Sequence, residues 1–308
     1  MDDDRGMSEA VDPLGAFTRG AAIKKGWSED RVRSRALARP FHGVRTLVEP
    51  RTHLQRAQAY VPRLRAGHFF SHLTAAVVFG IPLPARAAED DPVHVSVIDP
   101  ARPPRCRGVI GHVISATRVS VVERLGLPVT DAASTWLLLG SELPHKELVA
   151  ATDHLLFVPR TRTADRPFAT REQLAMALDA YHGRGSRGLR VALAVASDAA
   201  ASRPETDLRL AIVEAGLPTP RANVPIRAGG RLIAIGDIVF EEWKVLAEYD
   251  GAHHRTGDAQ FARDRQRLLD LQLAGWIVVP VRAEGLARGR ARTIAEIRAA
   301  LRAHGWVG

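Results

Sequence analysis

Residues 232 to 250 read LIAIGDIVFEEWKVLAEYD, two apolar runs joined by a short charged turn. Short apolar runs bounded by turns are typical of β-strands, so we predict strands at Leu232 to Phe240 and Lys244 to Asp250. A connection this short makes the two strands antiparallel neighbours. Each strand carries an acidic side chain among apolar residues, Asp237 in the first and Glu248 in the second.

Segments on both sides of this hairpin complete a regular order of elements. Before the hairpin, a helix after Pro204 ends before Gly216, and a strand follows at residues 223 to 227. After the hairpin, we predict a helix at 258 to 274, a strand at 276 to 281 and a helix at 290 to 304. The predicted order is αβββαβα. A strand that returns beside its predecessor through a helical crossover gives a mixed sheet flanked by helices, so we expect an α/β domain at residues 203 to 308.

The acidic side chains of this segment are the first candidates for chemistry. Alternation puts Glu248 and Asp250 on one face of their strand, and pairing with the preceding strand lets Asp237 join them. Carboxylates this close repel one another unless a cation lies between them. Oxygen ligands suit Mg²⁺ or Mn²⁺, which also bind phosphates, so we predict a metal site at Asp237 and Glu248 that acts on a phosphodiester. In the alternative interpretation these are ordinary strand acids paired with Arg231 or Arg209.

A charged stretch follows the second strand. His254 is placed to transfer protons near neutral pH, with Arg255 beside it. Asp264, on the next helix, is expected to orient one of them. The arginines of that helix either hold phosphates or form a solvated face: Arg263, Arg265 and Arg267.

The C-terminal third carries an ordered set of motifs: Glu205, GDIVF at residues 236 to 240, AEYDGAHHR at 247 to 255, Arg263-Asp264, and AGWIV at 274 to 278. In this order they resemble domain-of-unknown-function family 559. That family is similar to the very-short-patch-repair endonuclease branch of the PD-(D/E)XK superfamily, whose members are metal-dependent nucleases with a restriction-endonuclease-like fold. The resemblance covers about a third of the chain.

The resemblance implies roles for individual residues. Asp237 would bind the catalytic metal, Glu248 and Asp250 would form the acidic motif, Glu205 would support them from the first helix, and His254 would assist proton transfer. This sequence departs from the superfamily at Asp250, which stands where a catalytic lysine is usual. The repair branch also lacks that lysine.

The first two thirds of the chain predict three further parts after an unstructured tail at residues 1 to 13. Residues 14 to 50 have the order helix, turn, helix and β-wing of a winged helix-turn-helix, with Ser28 capping the second helix. Its arginines are candidate DNA contacts: Arg31, Arg33, Arg35 and Arg45. Residues 51 to 128 form an α+β module with strands at 93 to 97 and 109 to 114, and residues 129 to 202 form a helical segment.

His68 and His72 in the middle module are four residues apart, a spacing that can hold a metal on a helix. No third ligand is evident, so we favour packing for both. The first two thirds also resemble AbiEi-type abortive-infection antitoxins or regulators, in residues 26 to 45, 71 to 76, 80 to 84 and 126 to 130. That resemblance implies promoter binding through a winged helix and adds no catalytic residue.

Composition sets the remaining expectations. The net charge of +9 favours a polyanionic partner, DNA, although arginine-rich codon usage in a GC-rich genome accounts for it equally well. A single cysteine, Cys106, and the lack of a long apolar run or signal peptide favour a cytoplasmic protein without membrane contact or small-molecule cofactor. A homodimer is one way to cut both DNA strands. The alternatives to a DNA endonuclease are a non-catalytic DNA-binding regulator and a toxin–antitoxin component that acts through protein partners.

Overall fold

The structure is a computed structural model that describes residues 14 to 84, 92 to 161, 165 to 250, 258 to 282 and 289 to 308. It leaves out the side chains of Arg118, Asp250 and residues 258 to 262. The chain forms two compact units: Met1–Leu148 with Glu172–Val191, and Val149–Arg171 with Ala192–Gly308. The predicted multidomain mixture of helices and strands is confirmed. Residues 129 to 202, predicted as one helical segment, are divided between the two units.

The first unit begins with a small two-helix module. Its elements are β1 (Phe17–Thr18), α1 (Arg19–Lys24), α2 (Glu29–Arg33) and β2 (Val44–Arg45), and the two strands pair antiparallel. Ser28 caps α2 as predicted, because its Oγ accepts a hydrogen bond from the Arg31 N–H at 3.2 Å. The sequence between Gly26 and Pro40 predicts a helix at Arg31 to Ala38. The observed helix ends earlier, at Arg33, since Ser34 has a non-helical ψ of 140°. The winged-helix assignment stays a prediction.

A five-stranded sheet forms the centre of the first unit. Its elements, with the helices that continue the chain, are α3 (His53–Tyr60), β3 (Phe69–Phe70), α4 (His72–Val78), β4 (Val93–Ile98), β5 (Val109–Ile114), β6 (Val121–Arg124), β7 (Leu127–Thr130), α5 (Ala132–Leu139), α6 (His145–Leu156), α7 (Arg171–Asp179) and α8 (Ser186–Val195). The strand order is β5-β4-β3-β7-β6. β4 and β5 are parallel neighbours, which confirms both strands predicted from alternation.

A four-stranded mixed sheet forms the second unit. Its elements are α9 (Arg203–Glu214), β8 (Arg221–Ala228), β9 (Arg231–Phe240), β10 (Val245–Asp250), α10 (Asp258–Leu273), β11 (Ile277–Arg282) and α11 (Arg290–Ala303). The strand order is β11-β10-β9-β8, with β9 antiparallel to both neighbours and β11 parallel to β10. The predicted αβββαβα order is therefore confirmed.

The two faces of this sheet bury different apolar side chains. One face packs Ile238 and Ala247 against a cluster that includes Leu208 of α9 and Ile297 of α11. The other face packs β9 and β10 against Leu271 of α10 through Val239 and Leu246. Because successive side chains of a strand alternate between faces, positions 237 and 248 lie on the same side as α10.

The longest helix in the described part of the chain is α10, with 16 residues. A membrane-spanning helix needs about 20 mostly apolar residues. Within the described ranges, no helix is long and apolar enough to cross a membrane.

Candidate functional site

Asp237 and Glu248 lie on neighbouring strands and on one side of the sheet. The last paired residues of β9 and β10 are Ile238 and Ala247. Extending this antiparallel register by one residue sets Glu248 opposite Asp237. The backbone N–H of Tyr249 donates to Asp237 Oδ2 at 2.9 Å, which fixes that carboxylate against β10. Strand alternation therefore predicts their common face correctly.

Both carboxylates line a cavity of about 800 Å³ between the sheet and α10. The helix contributes Asp264, Arg265 and Arg267 to its wall. Apolar side chains from the start of β11 and the residue before it also line the cavity: Trp276, Ile277 and Val278. This volume lies within the range of small-ligand sites.

Arg267 forms a two-pronged ion pair with Glu248. Its Nη1 donates to Glu248 Oε2 at 3.0 Å, and its Nη2 donates to Oε1. Burial lowers the pKa of Arg267, and the negative charge of Asp237 opposes that decrease. The guanidinium thus lies within electrostatic range of both acids and balances part of their charge.

Burial raises the pKa of Asp237, while the hydrogen bond from the Tyr249 N–H and the positive charge of Arg267 act in the opposite direction. Oδ2 accepts the Tyr249 hydrogen bond. The structure gives Oδ1 no hydrogen-bond donor among the described residues. Within the described part of the chain, one oxygen of this half-buried carboxylate is therefore available to a ligand.

Glu205 is buried in the first turn of α9. Its Oε2 accepts from the Ala201 N–H at 2.9 Å and from Asn223 Nδ2 at 2.6 Å, and its Oε1 accepts from Ser202 Oγ at 2.8 Å. Burial raises the pKa of Glu205, and the charge of Asp237 adds to the increase. Glu205 therefore interacts electrostatically with Asp237, although it is not among the described residues that line the cavity. Its position fits a supporting role.

Asn223 connects Glu205 to the strand that carries Asp237. The β8–β9 register pairs Ala222 with Ile238 on one side of it, which puts Asn223 opposite Asp237. Its φ of +51° lies in the left-handed region, which asparagine adopts more readily than most residues. Residues 223 to 227 are predicted from the sequence as a regular strand, and only the asparagine identity of residue 223 hints at the irregularity.

Of the other predicted site residues, some line the cavity and others lie outside the described part of the chain. Asp264 lines the cavity, as do Arg265 and Arg267 from the same helix. Asp250 ends β10, and its side chain lies outside the described part of the structure. His254 and Arg255 also lie outside the described residues, so their roles stay predictions.

The ion pairs of the alternative interpretation do not form in the described structure. Arg231 pairs with Asp270 at 2.9 Å, and Arg209 pairs with Asp153 at 2.8 Å. Both arginines therefore neutralise other acids. Arg267, predicted either to hold a phosphate or to be solvated, is the residue that pairs with Glu248.

The candidate DNA contacts of the first module differ in their surroundings. Arg31 stacks over the Trp27 ring, 3.7 Å from its centroid, and Arg33 lies 3.6 Å from Glu29. Arg35 is exposed. The side chain of Arg45 is half-buried and donates to the Val32 and Val44 carbonyl groups: Nε to the first at 3.0 Å and Nη1 to the second at 2.8 Å. The exposed Arg31, Arg33 and Arg35 are better placed for phosphate contacts than Arg45.

His68 and His72 have different neighbours. His68 lines a cavity with Tyr60 and Arg63. His72 instead lies beside His94 of β4 and His112 of β5. His94 and His112 were not predicted as ligands from the sequence, although both lie at polar positions in correctly predicted strands.

Comparison with known proteins gives relatives without an assigned activity. Two uncharacterized proteins, one from each of two strains of Mycobacterium tuberculosis, are each 27% identical over 272 residues. The alignment covers 87% of this chain and 93% of each relative. No family model matches the chain. No solved structure matches it.

Proposed function

We propose that this protein is a metal-dependent DNA endonuclease of the cytoplasm, with hydrolysis at the cavity between the mixed sheet and α10. The observation that carries the proposal is the position of Asp237 opposite Glu248, with both carboxylates lining one cavity. Two acids on adjacent strands are a common way to hold a divalent cation at a phosphodiester.

The strand arrangement supports the nuclease assignment. The acids lie on the second and third strands of an αβββαβα unit, where the resemblance to the PD-(D/E)XK superfamily implies the metal ligands. Glu205, the acid of the first helix, is buried within electrostatic range of Asp237. Three of the acids implied by the resemblance are therefore near neighbours. Fold likeness alone would not argue for activity, whereas this set of side chains does.

The residues present fit Mg²⁺ or Mn²⁺. Asp237 Oδ1 has no donor in the described structure, and Glu248 adds a second carboxylate. Carboxylate oxygens of this kind are hard ligands, which these ions prefer. The positive charge of the Arg267 guanidinium beside the bound ion would suit a phosphate group. When bound, the ion would polarise a phosphate oxygen and lower the pKa of a coordinated water.

The Arg267 side chain supplies a positive charge in place of the lysine that position 250 lacks. A lysine is usual there in the superfamily, and this chain has Asp250 instead. Arg267 reaches Glu248 from α10 and interacts with Asp237. We propose that it binds a non-bridging phosphate oxygen and stabilises the charge that develops there, while Glu205 holds Asn223 and β8 in place beside Asp237.

Supercoiled plasmid tests the proposal directly. The full chain is expected to convert it to nicked circles with Mg²⁺ or Mn²⁺, and to leave it intact with a chelator or with Ca²⁺ alone. Gel analysis of the time course provides the rate. Equal nicking with and without a chelator would contradict a metal-dependent mechanism.

A non-catalytic DNA-binding regulator is the second candidate, and the Arg267–Glu248 ion pair is the observation that favours it. An internal cation already satisfies Glu248, so the cavity can be stable without a metal. This candidate predicts salt-dependent DNA binding by the N-terminal arginines and no nicking with any divalent metal. The same plasmid assay, combined with a gel-shift measurement, distinguishes the two candidates.

A further inference from the structure

Three histidines meet in the first unit, separate from the acidic cavity. His72 begins α4, His94 lies in β4 and His112 lies in the neighbouring strand β5. One ring nitrogen of each lies within 4.8 Å of the corresponding atoms of the other two. His72 and His94 are buried, and His112 is half-buried. Two of the three imidazole rings are thus shielded from solvent, and the third, of His112, is partly accessible.

The strand pairing explains how His94 and His112 meet. The parallel register of β4 and β5 pairs His94 with Ile110 and His112 with Ser96, so the two histidines are diagonal neighbours on one face. His94 Nδ1 and His112 Nε2 are 3.1 Å apart and share a hydrogen bond, which an ion bound to both nitrogens would replace. Two imidazole nitrogens bound to one tetrahedral zinc ion, each at about 2.0–2.1 Å, lie roughly 3.3 Å apart. The observed spacing is close to that value.

His72 is held by hydrogen bonds of the kind that orient metal ligands. Its Nδ1 lies 2.8 Å from Ser71 Oγ, which in turn contacts Ser96 Oγ at 2.5 Å. Its Nε2 has no hydrogen-bond partner among the described residues. A metal-binding histidine commonly uses its second nitrogen in this way, which fixes the ring and leaves the first nitrogen for the ion.

The backbone of His72 is unusual. Its φ of +50° lies in the left-handed region, which is uncommon for a residue other than glycine. Such a conformation is retained where the surrounding structure requires it, and it often accompanies a functional site. Here it directs an imidazole from the start of α4 towards the sheet, where the His72 ring stacks on His112 with centroids 3.9 Å apart.

We propose that His72, His94 and His112 bind one transition-metal ion of the zinc class, with water in the remaining position. Three nitrogen ligands suit Zn²⁺, Co²⁺ or Ni²⁺ rather than Mg²⁺. Three protein ligands with an open fourth position are the arrangement of catalytic rather than purely structural zinc sites. His72 and His94 are buried, an environment that favours the neutral imidazole that binds metals.

Metal titration of the full chain without a histidine tag tests this site separately from the acidic cavity. Saturating Mg²⁺ is kept present, because it competes at carboxylates and not at imidazoles. We expect one Co²⁺ per chain, with visible absorption bands that Zn²⁺ abolishes. His112→Gln, at the half-buried position, is expected to weaken binding at least about tenfold. His68→Gln, a change of the same kind outside the cluster, is expected to leave binding unchanged.

X-ray absorption at the zinc edge makes the test independent of the variants' folding. Zinc-loaded wild-type protein is expected to have about three imidazole ligands near 2.0 Å. Failure of the wild type to bind Co²⁺ or Zn²⁺, a shell made of oxygen alone, or undiminished binding by a folded His112→Gln variant would overturn the proposal. Loss of plasmid nicking by itself would concern only the acidic cavity.

Discussion

Asp237→Asn is expected to lower the rate of metal-dependent plasmid nicking by at least about 100-fold, which corresponds to roughly 3 kcal/mol of transition-state stabilisation. Asparagine keeps the size of the side chain and an oxygen that can accept the Tyr249 N–H, so the strand pairing should persist. It removes the negative charge on which binding of a divalent ion depends. The rate of nicking at saturating Mg²⁺ or Mn²⁺ measures the effect.

Asp270→Asn is the matched control. Asp270 is a carboxylate of the same unit, on α10, but it pairs with Arg231 and is not among the described residues that line the cavity. Its nicking rate should stay within about twofold of wild type, as expected for a change away from the site. Equal rates for both variants would refute a catalytic role for Asp237.

Asp153→Ala is expected to lower the free energy of unfolding by about 3–5 kcal/mol, because it leaves a buried charge without its partner. Asp153 is 1% exposed. Its Oδ2 accepts from Arg209 Nη2 and Thr206 Oγ1, each at 2.8 Å, and its Oδ1 accepts from the Ser197 N–H at 2.7 Å. Burial raises the pKa of Asp153 against the opposing effect of Arg209. Urea denaturation followed by circular dichroism measures the loss.

The double variant Asp153→Leu with Arg209→Met separates the effect of losing the ion pair from the effect of leaving the Arg209 charge buried without a partner. Replacing both charges with apolar side chains of similar size removes the unpaired charge, so the double variant should be more stable than Asp153→Ala. A decrease below about 1 kcal/mol for Asp153→Ala would show that water or another group replaces the pair.

Local sequence patterns were sufficient for the elements of the second unit. The alternation in β9 and β10 and the short turn between them determine which side chains share a face. The positions of Asp237 and Glu248 on one side of the sheet follow from these two features alone. The helix cap at Ser28 was predictable for the same reason, since a cap depends on residues within one turn.

Contacts between distant segments were not predictable from one sequence. Arg267 faces Glu248 because α10 packs Leu271 against the sheet, and Arg267 lies one turn before it on the same side. This helix contains three arginines, and the sequence alone does not determine the angle between α10 and the sheet, on which depends which arginine contacts Glu248. The ion pairs that the alternative interpretation predicted for Arg209 and Arg231 were wrong for the same reason, since both arginines pair with acids of other elements.

The histidine cluster depends on the same kind of long-range information. The spacing of His68 and His72 drew attention to a helix face, whereas His72 meets residues 22 and 40 positions later in the chain, His94 and His112. Their meeting requires the parallel pairing of β4 with β5 and the left-handed backbone at the start of α4. Neither feature has a local sequence pattern that identifies it.

The location of Mn²⁺ in crystals of the full chain, determined by anomalous diffraction, tests the proposed metal site most directly. A manganese peak is expected between Asp237 and Glu248, bound to a carboxylate oxygen of each at about 2.0–2.3 Å. A crystal saturated with Mn²⁺ that has no ion at these carboxylates, and in which Arg267 alone still contacts Glu248, would contradict it.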